Sequence, residues 1–416
     1  MNSQRTASSS PRSREDAPPS GRGAGGLSRY VVAAALARTA DGGAVVAVVL
    51  LVTSSGGSGT LAGVLGACIT APHLLGPFVA RSLDLARDGR VVIAAACLLY
   101  ATALTAGVLT YGHASVVLTA LLLATAGACG PLLTGGISSR LPAIVGPELR
   151  TQRRAQGWDV ATYGIGGTVG PSLVAALSGW ISPTAAALAL AAGAATAAGG
   201  VLLLPFSAPT HDGDRSAILK PAATLALIAR TGRLRRTVYL TMVVALSVAA
   251  LPITAVHLTK ILGTEPATAA LLTAAYGLGN LTGSIAVMVR PLTGDPDRLM
   301  RRLALGVVAG LLAVTASPAF GVSVAAYALT GILNTFFFAS TLAARTEYAP
   351  SGARGQAFIW VAALKITSGS AGTALAGSLT GVSVRLPLAV GLLAVSAAVA
   401  AATVETRFAR AADKHP

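Results

Sequence analysis

The chain is 416 residues long, 53% hydrophobic and only 11% charged, with a formal net charge of +16. Soluble domains carry about 25% charged residues, so a soluble protein of this length could not cover its surface with this supply. An excess of 31 Lys and Arg over 15 Asp and Glu would point a soluble protein toward nucleic acid, but the placement of the charges argues against that here. Cys68, Cys97 and Cys129 stand in apolar stretches with no disulfide or zinc spacing and read as small core residues.

Residues 1–29 are rich in Ser, Pro, Arg and Gly, contain no apolar core, and read as a cytoplasmic tail rather than a signal peptide. Twelve apolar runs follow, at 30–52, 58–80, 91–110, 115–138, 157–178, 184–205, 237–258, 267–289, 302–320, 322–343, 357–379 and 384–404. Each approaches the roughly 20 residues that a helix needs to cross a bilayer core. The runs are continuous and Ala/Leu-rich, not alternating, which excludes barrel strands. An all-α membrane protein with twelve transmembrane helices is expected.

Of the 31 basic residues, 27 fall in the tails and in loops on one side of this pattern. Lys260 and Arg385 fall on the other side, and Arg38 and Lys365 inside spans. Such a split predicts that both termini are cytoplasmic in a plasma (inner) membrane, and it explains the net charge as topology. Two six-helix halves, 30–205 and 237–404, are joined by a cytoplasmic loop at 206–236 and followed by a tail at 405–416. Arg154-Ala155-Gln156-Gly157-Trp158 before span 5 parallels Arg354-Gly355-Gln356-Ala357-Phe358 before span 11. His73 and Asn280 likewise precede Gly76 and Gly283 in spans 2 and 8. Pseudo-symmetric six-helix bundles of this kind are a common plan for secondary transporters.

The 2–3 loop, from Gly76-Pro77 through Asp84 to Arg87-Asp88-Gly89-Arg90, sets an acid before basic residues around a glycine. It resembles the signature loop of the major facilitator superfamily, departing at Ala80, where a glycine is usual, and by an extra residue around Asp88. Gly170-Pro171 in span 5 is similar to the family's antiporter-associated motif, without the glycines that normally follow (Val174 and Ala175 stand there). The stretch from Tyr348 to Gln356 resembles the 10–11 loop of bacterial drug exporters. The resemblance covers residues 30–404. It implies alternating access, export of a small amphipathic molecule in exchange for protons, and a gating loop in which Asp84 pairs with Arg140 and faces the turn after Arg354, with Arg87 and Arg90 beside it. An importer or uniporter on the same scaffold is the alternative, and a non-transporting sensor or scaffold a more distant one. Away from their first residues, spans 3, 6, 9 and 12 carry no charged, His or amide side chain, as expected of the family's lipid-facing helices.

Charges at mid-membrane cost about 2.5–3.5 kcal/mol each on insertion scales, so they face protein or water. Arg38 and Asp41 share a face of span 1 and are expected to neutralise each other in part, Asp41 taking up protons or a cation. Lys365 has no acid in the C-terminal spans and should meet an opposite charge across the cavity, an anionic substrate, or water. Trp158 and Trp180 read as the two interfacial anchors of span 5, which puts Asp159 at the cytoplasmic edge. His73 follows Pro72 and either lines the cavity or bonds within a kink. Asn280 and Asn334 are candidate substrate contacts, with Phe337 taken from the Phe336-Phe337-Phe338 run as an aromatic wall. No Gly-x-x-x-x-Gly-Lys-Ser/Thr loop, metal cluster or nucleophilic set occurs, so no cofactor, metal or enzymatic role is expected. The expected partners are a small-molecule substrate, protons and the lipid bilayer, with the chain monomeric and no nucleic acid bound.

Overall fold

The computed structural model describes residues 22–206, 220–265 and 268–412, and all regular structure among them is helical. Twelve helices are long and apolar enough to cross a membrane: span 1 Gly25–Ser54, span 2 Leu61–Leu83, span 3 Gly89–Thr110, span 4 Val116–Val145, span 5 Leu149–Trp180 and span 6 Pro183–Leu202, then span 7 Gly232–Ile261, span 8 Ala269–Val289, span 9 Pro296–Ala316, span 10 Phe320–Tyr348, span 11 Arg354–Thr380 and span 12 Leu386–Ala409. An even number of crossings puts both ends of the bundle on one side, called here the terminal face. The tail before residue 22 and the stretch 207–219 lie outside the described residues.

Several helices are longer than hydropathy predicts, notably at the terminal face. Span 5 begins at Leu149 rather than near 157, and span 10 runs on to Tyr348. The 206–236 connection also contains a short helix, Pro221–Arg230, and ends where span 7 begins at Gly232. Polar, Arg-bearing turns read as loop in a hydropathy window. They stay helical because each added residue keeps its backbone hydrogen bond while long basic side chains reach outward from the helix.

Each half has its own apolar core. One gathers buried residues from Tyr30 to Leu204, built around an Ala stripe on span 1 (Ala33, Ala37, Ala40, Ala44, Ala47). The other runs from Leu240 to Ala402 and includes Met300, Ala304, Val307, Leu311 and Val314 at helical spacing on span 9. The two halves also begin their third helices alike. Asp88 caps the start of span 3 by accepting from the Arg90 N–H, and Asp295 caps span 9 by accepting from the Arg298 N–H. A capping acid of this kind contributes about 1 kcal/mol.

Small residues set the helix crossings that matter for the site. A Cβ on Gly43 would stand 2.9 Å from Gly170 O, and one on Gly166 would stand 2.7 Å from Arg38 O, so spans 1 and 5 touch backbone to backbone. Gly166 and Gly170 have the i, i+4 spacing that lets membrane helices approach this closely. The partner crossing in the other half is Gly372 of span 11 against the backbone of Leu246 in span 7. Span 2 is interrupted at Pro72: a 3-10 turn, Ala71–Leu75, separates its two α segments and carries His73. Span 4 holds a π-helical turn at Leu132–Gly136 just after Pro131. Interruptions of this sort free backbone groups and re-aim side chains, and they concentrate at functional positions.

Candidate functional site: a charged cavity between the halves

A cavity of about 930 Å³ lies between the two halves, lined by Thr168, Pro171, Leu251, Tyr276, Asn280, Tyr327, Asn334 and Phe338 among others. These positions sit in the middle of their helices and in the part remote from the terminal face. A second pocket of about 180 Å³ continues it inward, sharing Tyr163, Gly167, Phe338 and Lys365 and adding Arg38, Asp41 and Arg345. Beyond that, toward the terminal face, a crevice lined by Ser138, Gln156, Asp159 and Phe358 narrows to about 10 Å³, room for a single water. The cavity is therefore blind on the terminal side.

Arg38 does not pair with Asp41. The close crossing at Gly42 and Gly166 brings the two helices together, and the long Arg38 side chain, from four residues before one glycine, reaches Asp159, seven before the other. Arg38 Nη1 donates to Asp159 Oδ1 at 2.7 Å and to Asp159 O at 2.9 Å, and it also contacts Thr162 Oγ1. Its Nη2 donates to Ser138 Oγ at 2.8 Å and Thr134 O at 3.2 Å. Tyr30 Oη donates to the same Asp159 oxygen at 2.5 Å. Arg38 is 3% exposed and Asp159 1%, so the edge position expected for Asp159 is wrong. Span 5 starts eight residues before the predicted boundary, so Asp159 lies well inside the helix and not at its N-terminus. The wrong helix start hid the buried pair.

Asp41 instead faces His73, with Nε2 3.5 Å from Oδ1. His73 Nδ1 lies 3.1 Å from Ile69 O, a carbonyl that can only accept, so Nδ1 carries a hydrogen. A neutral ring then turns a bare Nε2 lone pair toward a carboxylate. The contact is attractive only with one more proton, held on Asp41 or on Nε2. Gly130 makes the room, since a Cβ there would meet His73 Nε2 and would stand 2.9 Å from Asp41 Oδ1.

Lys365 Nζ sits 3.8 Å from the Phe338 ring centroid and 5.4 Å from that of Tyr163. The two rings meet edge to face at 5.0 Å, one from each half of the protein. Arg38 Cζ lies 3.6 Å from the Tyr163 centroid. Phe338, not Phe337, is thus the cavity aromatic: Phe337 is 2% exposed in the C-terminal core. Successive helical residues point about 100° apart, and nothing in a run of three identical residues says which one faces inward. Asn280 and Asn334 line the larger cavity and bond to each other, Asn334 Nδ2 donating to Asn280 Oδ1 at 3.3 Å. Thr335 Oγ1 donates to that same oxygen at 2.9 Å.

The gating-loop residues spread over several contacts. Arg90 donates to Asp88 Oδ2 at 2.7 Å and to Leu204 O at 2.6 Å, which ties the loop to the end of span 6. These bonds from Arg90 hold the Asp88 carboxyl below the usual carboxylate range. The Arg140 guanidinium packs against Gly89 at the start of span 3, where a Cβ would come within 2.6 Å of it. Arg87 is exposed, and Arg354 opens span 11 half-buried. Asp84 lies on the helix that ends span 2, and its side chain, with the expected pairing to Arg140, lies outside the described residues. Gly170 forms part of the span 1–span 5 crossing, and Pro171 follows it within the helix.

Among the described contacts that close the terminal face is a salt bridge that the sequence does not reveal. Arg153 of span 5 reaches Glu347 of span 10 at 2.5 Å and donates to Gly294 O at 3.1 Å and Leu292 O at 3.4 Å. It bridges the two halves with its side chain 4% exposed. Hydrogen bonds to charged groups are worth about 1.5–3 kcal/mol when buried, and Glu347 is partly wet, so loss of about 1–2 kcal/mol is expected in Glu347→Gln. That shifts a two-state equilibrium roughly five- to thirtyfold toward opening on the terminal face. Single cysteines on that face should then label faster; unchanged labelling would show that the clasp does not hold the closed state.

The arrangement is two six-helix bundles around a central charged cavity that narrows toward the terminal face. The fold is that of major facilitator superfamily transporters. The superfamily member FucP in its outward conformation aligns over 92% of this chain and 98% of its own, with a TM-score of 0.68 at 16% identity. The human organic anion transporter MFSD10 aligns over 92% and 99%, with a TM-score of 0.69 at 16% identity. A bacterial homologue of the iron transporter ferroportin, in its outward-facing state, gives 0.67 at 15% identity over 92% and 99%. By sequence, an uncharacterised MFS-type transporter, y4rN of Sinorhizobium fredii, is 36% identical over 138 residues. That match spans 33% of this chain and 30% of the relative. No family profile matches the sequence.

Proposed function

We propose that the protein is a secondary active transporter that carries a small amphipathic molecule across the plasma membrane by alternating access, coupled to protons. The observation that supports coupling most directly is the Asp41–His73 contact at 3.5 Å, which needs a proton to be attractive and borders the 180 Å³ pocket. Closure by Arg153–Glu347 on the terminal face, with the cavity on the remote side, fits one end state of such a cycle. Export in exchange for protons is the direction favoured by the resemblance at Gly170-Pro171. Uptake together with protons is the second reading. It is favoured by the sign of the pocket: a proton arriving beside Arg345 and Lys365 makes the site more attractive to a negative solute, not less.

Accumulation of a compound panel in right-side-out and inverted vesicles, with and without a proton gradient, tests both directions. No gradient-dependent accumulation in either orientation would overturn the proposal. The orientation, with both termini in the cytoplasm, is tested separately. A reporter active only in the cytoplasm should work when fused after Thr210 and stay silent after Gly112. The reverse pattern would overturn the charge-based topology.

A further inference from the structure

The charges around the inner pocket do not balance. Arg38 is matched by Asp159, and Asp41 faces His73 at 3.5 Å. Arg345 and Lys365 are left. Arg345 is 1% exposed; its Nη2 donates to Thr341 Oγ1 at 3.3 Å, and its Nε is buried with no hydrogen-bond partner. Lys365 stands over Phe338 and Tyr163, and an ammonium has three donors that ring faces satisfy only electrostatically. Among the described residues, no ion pair joins either cation to a carboxylate. Both lie near one ring, Arg345 Cζ 5.7 Å and Lys365 Nζ 3.8 Å from the Phe338 centroid. Both line the blind end of the cavity.

Two cations held close together in a low-dielectric site repel each other and keep donors unused, and both penalties are relieved by one shared anion. The guanidinium fork suits a carboxylate in particular. Outward from this end the cavity widens to about 930 Å³, its wall combining Leu251, Tyr276 and Tyr327 with the amides of Asn280 and Asn334. We infer that the inner pocket takes the carboxylate of an amphipathic organic acid between Arg345 and Lys365, with the apolar body of the molecule in the larger cavity. This rests on the transport reading of that cavity and names its substrate class.

The test uses purified full-length protein and three probes, octanoate, 4-phenylbutyrate and 2-naphthoate, each matched with its own amide and amine. At least one carboxylate should raise the melting temperature saturably, and its amide and amine should not. Lys365→Gln and Arg345→Gln should weaken that binding at least about tenfold, the loss expected for a charge-assisted hydrogen bond. Lys365→Arg should stay within about threefold of the parent, and Arg345→Lys serves where Arg345→Gln does not fold. Equal stabilisation by amides or amines, undiminished binding in Lys365→Gln, or no response to any carboxylate would each overturn the inference. Proteoliposomes separate the two readings. Carboxylates that bind but never cross would retain the anion site and overturn transport. Gradient-driven movement of amines or amides in place of carboxylates would retain transport and overturn the anion site.

Discussion

Asp41→Asn should reduce proton-driven accumulation to the level set by passive equilibration, while substrate-for-substrate exchange continues. A gradient of one pH unit carries about 1.4 kcal/mol per proton, so one-to-one coupling supports about a tenfold concentration ratio, and this ratio should fall to about one. The substitution keeps the shape at Gly130 and removes the group that can share a proton with His73. The amide can donate to the bare Nε2 of the neutral ring, so the contact no longer needs an added proton. His73→Gln should have the same phenotype, because a proton relay needs both partners. Full proton-driven accumulation by either variant would remove the pair from the mechanism. The measurement is uptake of a labelled substrate into proteoliposomes with an imposed gradient, paired with exchange at equal pH on both sides. Differential wetting of the pair in the two end states is what lets the gradient bias the cycle, and an amide at position 41 offers no such difference to exploit.

The twelve helices and their pairing into halves were legible because the bilayer imposes a length and a polarity that any sequence must write plainly. Helix ends at the terminal face were not, since hydropathy falls there before the hydrogen-bond ladder stops. That single error relocated Asp159 to the surface, left Arg38 with Asp41 as its nearest acid, and so paired the wrong residues. The correct partner had a signal: Gly166 and Gly170 on span 5 have small-residue spacing and Gly42-Gly43 on span 1 offers a smooth face for them, which brings Asp159 within reach of the Arg38 side chain. Arg345 and Arg153 were counted with the loop charges, where a basic residue normally meets water. Only the three-dimensional packing shows that one is sealed under Phe338 and Phe358 and the other joined across the halves to Glu347. Phe338 could not be chosen over Phe337 from the sequence, because the phase of a helix is fixed by its neighbours and not by three identical residues.

Asp159→Asn should destabilise the protein more than any other single change at the site. It leaves Arg38 charged, 3% exposed, and surrounded by neutral acceptors from Thr134, Ser138 and Thr162. Removing one partner of a buried ion pair typically costs about 3–5 kcal/mol, because the remaining charge stays desolvated without a counterion. Arg38→Gln should cost a comparable amount, since Asp159 then keeps Tyr30 as a donor but loses its cation. The double variant is the informative one. With both charges gone, the two introduced amides can bond each other, and much of the single-variant loss should return. The difference between the double loss and the two single losses is the pair's coupling energy, expected to exceed about 1 kcal/mol for residues in direct contact. Thermal unfolding in detergent, followed by loss of the monodisperse fraction, measures all four corners of the cycle. Additive losses would mean that Arg38 and Asp159 are held independently by their other hydrogen bonds. In that case the crossing at Gly42 and Gly166, not the ion pair, is what fixes span 1 against span 5. Gly166→Ala should then be the more damaging substitution, because its Cβ would press on the backbone of Arg38 at 2.7 Å.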